Sequence, residues 1–132
     1  MRIERHFTKA GQNAYDAITF KKTDVVMKNP DGSTVFEALG TEVPEHWSQV
    51  ATDVLAQKYF RKAGVSAKLK KVEENSVPSW LWRSVPDDVA LAKMPEVERN
   101  VGETSSKQVF DRLAGAWTYW GWKGGYFDKE ED

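Results

Sequence analysis

The chain has 132 residues, 19 basic against 20 acidic side chains, a formal charge of −1, and no cysteine. One domain with one core is expected at this length, and the balanced charge leaves no overall field to gather nucleic acid. The missing thiols exclude disulfides, zinc knuckles, iron–sulfur ligation and thiyl chemistry on this polypeptide. No apolar run reaches the length of a signal peptide or a membrane span, so a cytoplasmic location is expected. Aliphatic side chains are in short supply and six Trp and four Tyr offset them, so the core should be rich in aromatics and lean on a neighbour.

Residues 1–16 are polar with isolated Ile3, Phe7 and Tyr15, and read as an arm. Residues 17–43 read as strand, turn, strand. ITFKKTDVVMK is rich in β-branched and aromatic residues, Asn29-Pro30-Asp31-Gly32 places Pro and Gly where a type I turn prefers them, and STVFEAL resumes the extended character. Two strands alone are marginal in water, so this hairpin should pack on the next helix or on another chain. In residues 44–64, Trp47, Val50, Ala51, Val54, Leu55 and Tyr59 recur at steps of three and four, the spacing of one helical stripe. Pro44 suits a first helical turn and Gly64 a left-handed stop. Something must cover that stripe.

Residues 65–103 read as an irregular segment rich in Trp and Pro. The basic run Arg61, Lys62, Lys68, Lys70 and Lys71 fits a solvated helix end better than a phosphate-binding patch. Pro78 and Pro86 bracket Trp80, Leu81 and Trp82 and disfavour helix just before themselves, while Asp87 and Asp88 open a short helical stretch that Pro95 limits. A second main helix is expected over 104–121, capped by Thr104 or Ser105 and stopped by Gly121. Its inward face would hold Val109 or Phe110, Leu113, Ala114, Trp117 and Trp120. Residues 122–132 form an acidic tail. The fold class expected is α+β and mostly helical, with an N-terminal β-hairpin, two main amphipathic helices and Trp/Pro-rich connections.

No catalytic, cofactor-binding or metal-binding residue emerges from this pattern. His6 and His46 lack metal-ligand spacing, and Glu73–Glu74 and Glu96/Glu98 read as solvent-facing acids. GWKGG lacks the spacing and preceding strand of a phosphate loop, and reads as a helix stop followed by a turn. The Trp, Tyr and Lys of AWTYWGWKGGYF could stack single-stranded bases, with Tyr119, Trp122 and Tyr126 left to project outward, but core packing or a protein interface is the stronger reading.

EVPEHWSQVATDVLAQKYFRKAGV, VEENSVPSWLWRSVPDD and SSKQVFDRLAGAWTYWGWKGGYFD, in this order and with the NPDG turn before them, resemble the N-terminal region of adenosylcobalamin-dependent (class II) ribonucleotide reductases. The resemblance implies an enzyme that reduces ribonucleotides through a protein thiyl radical generated with adenosylcobalamin. It also implies that the radical cysteine, its barrel and the reducing cysteines lie outside this cysteine-free chain, so adenosylcobalamin is expected for the complete enzyme and none in these residues. The role implied is structural: a single N-terminal module or split subunit, inactive alone, docked on the catalytic barrel chain. Trp80, Trp82, Trp122, Tyr126 and Phe127 are the expected partner interface. A regulatory protein built on the same module and a single-stranded nucleic-acid binder are the alternatives.

Overall fold

A computed structural model describes all 132 residues. Strands β1 (Phe20–Lys28) and β2 (Thr34–Pro44) form an antiparallel hairpin in which Val25 faces Ala38 and Met27 faces Phe36. The turn between them closes with the Gly32 amide donating to the Asn29 carbonyl at 2.9 Å and the Asn29 amide donating to Ser33 at 2.8 Å. Gly32 takes φ +86°, a left-handed conformation that glycine adopts without strain. The ladder slips at Asp24, whose carboxylate accepts the Gly40 amide at 2.8 Å.

Helix α1 (Gln49–Lys58) follows, capped by Ser48, whose hydroxyl accepts the Ala51 amide. Residues 65–103 hold β3 (Val65–Ser66), β4 (Leu69–Lys71), a 3-10 turn over Ser79–Leu81, β5 (Ser84–Pro86), α2 (Asp88–Ala92) and β6 (Asn100–Val101). β3 pairs with β6 and β4 with β5, both antiparallel. The long α3 (Ser106–Lys123) closes the order, with Ser105 and Gln108 forming a reciprocal capping box.

The core is small. Val25 and Val43 from the hairpin, Leu55 and Ala56 from α1, the following Phe60, and Val109 from α3 form one buried cluster, flanked by Phe36, Ala38, Trp47 and Leu113. Each fully buried side chain of this size contributes about 1.5–3 kcal/mol, so six are few for the chain length. Leu55→Ala should therefore cost about 2–5 kcal/mol, read as a lower urea midpoint with an unchanged slope.

The structure corrects several expectations. The fold is not mostly helical: 30% of residues are helical and 23% lie in strands, although the hairpin is present. Pro44 is the last residue of β2, paired with Phe20, so it does not open a helix over 44–64. α1 also ends early, at Lys58, and beyond its Tyr59 cap the Arg61 amide donates to the Glu103 carboxylate at 2.8 Å rather than to a helical carbonyl. The segment 65–103 is less irregular than expected, since Lys and Val residues without a helical period settle into short paired strands. α3 runs past Gly121 to Lys123, so Trp122 and Lys123 belong to the helix and not to the tail.

Candidate docking surface

Glu103 is the joint on which the outer surface is hung. Its side chain is only 1% exposed, and its carboxylate receives the Arg61 amide, Arg61 Nε at 2.9 Å and Arg112 Nε at 2.9 Å. Burial pushes this carboxyl upward, but the hydrogen bonds from Arg112 and Arg61 outweigh it and hold the group below its ordinary range. The Arg112 guanidinium also donates to the Tyr59 carbonyl, locking the end of α1 to α3. Gly102 fits here because a Cβ would lie 2.8 Å from the Lys62 carbonyl oxygen.

With α3 held this way, its inward face is rotated from the one expected. Ser106 and Val109 are buried and Leu113 flanks the core, but Trp117 and Trp120 are each 64% exposed. Of the three residues expected to project outward, Tyr119 and Trp122 turn in, while Tyr126 stays exposed. The Tyr119 hydroxyl donates to Glu74 Oε2 at 2.6 Å, Lys123 Nζ pairs with the other Glu74 oxygen, and Trp122 Nε1 donates to the Ser76 carbonyl at 2.6 Å. Hydrogen bonds from Lys123 and then Tyr119 lower the Glu74 pKa, and the same contacts raise those of Tyr119 and Lys123. Periodicity ranks residues by hydrophobicity, and here the amphipathic Tyr119 and Trp122 took the side that offered partners for their polar tips.

Of the five expected interface residues, Trp80 and Tyr126 are exposed, whereas Trp82, Trp122 and Phe127 are partly covered by the chain itself. Trp82 Nε1 donates to the Val77 carbonyl at 2.9 Å, and Phe127 lies over Gly121, where a Cβ would come within 2.6 Å of its ring. Trp80 Nε1 reaches Glu130 at 3.2 Å. Tyr126 packs its ring beside Gly124, at the foot of α3 and next to the turn that carries Trp120. The set therefore divides into anchors of the module and outward aromatics. Trp117 and Trp120, which hydrophobic spacing assigned to the core, join the second group.

The α1 stripe is the other exposed apolar surface. Leu55 points into the core, but Val50 is 70% exposed, and Val54 and Tyr59 are also exposed. Together with Trp47 and Ala51 these side chains line a shallow groove of about 440 Å³. Trp47 meets Phe110 of α3 edge-to-face at 6.2 Å, so the groove adjoins the long helix. No three metal-ligating side chains converge anywhere, and no helix is long and apolar enough to cross a membrane.

Comparison with known proteins identifies the family. A family model described as class II vitamin B12-dependent ribonucleotide reductase matches residues 21–132. The vitamin B12-dependent ribonucleotide reductase of Bradyrhizobium diazoefficiens is 67% identical over the full chain, and that of Agrobacterium fabrum 65%. The Streptomyces coelicolor enzyme of the same name is 45% identical over 64 residues, 48% of this chain and 7% of that enzyme. The chain spans about a tenth of the length of the first two relatives. With full-length matches at this identity and a family model covering most of its residues, the chain belongs to the class II vitamin B12-dependent ribonucleotide reductases, as their N-terminal module.

Proposed function

We propose that this chain is a structural module of a reductase that converts ribonucleotides to deoxyribonucleotides for DNA synthesis, and that it docks on a catalytic barrel carried outside these residues. The observation that supports the reading most directly is surface area. A folded monomer of 15.0 kDa exposes about 7,000 Å² by size scaling, whereas this chain exposes 9651 Å². The excess is about 2,600 Å²; the polar arm adds to it, and Val50, Trp117 and Trp120 are among the exposed large apolar side chains. Obligate interfaces bury about 2,000–5,000 Å² in total, or roughly 1,000–2,500 Å² on each partner, so a one-sided surplus of this size, arm included, suits a permanent neighbour.

The residues present do not fit adenosylcobalamin. The groove of α1 is open and apolar, lined by six hydrophobic residues and Ser48, and offers no imidazole, thiolate or carboxylate donor for cobalt. The cofactor of the related enzymes is accordingly assigned to the catalytic part, as is the radical cysteine, since this chain has none. What the chain supplies is a braced apolar face, with Trp80, Tyr126, Trp117 and Trp120 as anchors and the Glu103 clamp holding α1 and α3 in fixed relation.

Mixing the chain with the catalytic part should give a complex in gel filtration and a blue shift of tryptophan emission, because Trp80, Trp117 and Trp120 leave water. Ribonucleotide reduction should accompany the complex and be absent from this chain alone. An unchanged emission and separate elution would overturn the proposal.

A further inference from the structure

We infer that the groove of α1 is the seat of an amphipathic helix from the catalytic part of the same reductase. This rests on the docking role proposed for the module and names the element that fills one part of the interface. The groove runs along a single helix, with Ala51 in its floor, Val50 and Val54 on its flank, and Trp47 and Tyr59 at its two ends. Those end residues are twelve positions apart, so the groove is roughly 18 Å long, or about three helical turns. A small residue between larger ones lets a second helix approach closely and seat its own side chains in the gaps.

The backbone of α1 decides which secondary structure can occupy it. Its amides and carbonyls are spent within the helix, on the Ser48 cap and on the Tyr59 amide that donates to the Leu55 carbonyl at 2.9 Å. An extended segment lying there would find no backbone partners and would bury its own polar groups unpaired. A helix brings its backbone bonds with it, so a helix is the occupant that the groove accepts.

Interface size decides whose helix it is. α1 has ten residues, so pairing it with the α1 of a second copy engages well under the ~20–30 residues a side of a stable interface. The groove has to be covered together with Phe110, Trp117 and Trp120 of the adjoining α3, which calls for a larger body. Some nine-tenths of the length of the related enzymes lies outside the matched region, and that is the body available.

The test uses the complete reductase that contains these residues, with a photoreactive p-benzoylphenylalanine placed at Val54 or, as a control, at Val97, which is 88% exposed and away from the groove. Mass spectrometry should map the Val54 cross-link to the apolar stripe of one helix outside residues 1–132, with the Val97 yield at least tenfold lower. A cross-link to a second copy of α1, to an extended segment, or to nothing in a fully active enzyme would overturn the inference and leave the docking role intact. Proteolytic nicking after residue 132 separates the two. If the nicked module dissociates freely at low salt, docking itself fails, and the groove assignment with it. As a second variant, Val50→Asp with Val54→Asp should weaken retention of the nicked module at least tenfold. Both positions are exposed, so its melting temperature should stay the same.

Discussion

Glu103→Ala should lower the stability of the module by about 3–5 kcal/mol, the range for breaking a buried ion pair by removing one partner. The cost belongs in the lower half of that range, because Arg61 and Arg112 are partly in water and can rehydrate. What cannot rehydrate easily is the Arg61 amide, which loses its acceptor where α1 ends. Domains of this kind have about 5–15 kcal/mol in total, so the variant should melt many degrees lower and lose the fixed angle between α1 and α3. Glu103→Gln keeps one acceptor and should cost less. The wild type should also show an acid dependence that Glu103→Gln loses. A carboxylate with a lowered folded pKa contributes stability that is present above its unfolded value, near 4.5, and is lost as pH falls through the folded value. Urea midpoints measured from pH 6 down to pH 3 would therefore fall more steeply for the wild type. Parallel pH profiles for the two proteins would show that Glu103 is not the joint described.

Much of this architecture is legible in residue order, and the rest is hidden for identifiable reasons. The hairpin follows from β-branched runs around Asn29-Pro30-Asp31-Gly32, and α2 from Asp87 as its cap, because these signals act over four or five residues. The position of α1 is legible but its length is not. Pro44 is as acceptable at the end of a strand as at the start of a helix, and the acceptor that takes the chain's amide just past the helix end is Glu103, 42 positions after Arg61. The family is legible from whole strings such as SWLWRSVPDD. The orientation of α3 is not, since a hydrophobic period cannot tell a face that meets the core from one that stays exposed. Trp117 and Trp120 have core spacing and lie outside. The polar tips of Tyr119 and Trp122, matched to Glu74 and the Ser76 carbonyl, are the signal that could have separated the two faces.

That rotation sets the largest expected effect on assembly. Trp117→Ala with Trp120→Ala should weaken binding to the catalytic part by roughly 100-fold or more, since buried tryptophan anchors each contribute about 2 kcal/mol or more and every 1.4 kcal/mol is tenfold. Lys70→Ala with Lys71→Ala is the contrasting pair. These two exposed cations should change affinity by only about 2- to 30-fold, since two rim charges of 0.2–1 kcal/mol each come to about 0.4–2 kcal/mol. The isolated module distinguishes a docking role from a structural one. Both tryptophans are 64% exposed, and neither indole nitrogen has a partner within the chain, so their removal should leave its stability within about 0.5 kcal/mol. Trp122→Ala should behave differently, lowering the melting temperature as well as the affinity, because it abandons the Ser76 carbonyl. Titration of the labelled catalytic part, followed by anisotropy, together with thermal melts of each variant, measures both quantities. If the Trp117/Trp120 variant melts early and binds normally, the outward face of α3 is structural, and the docking surface must be sought around Trp80, Tyr126 and the groove of α1.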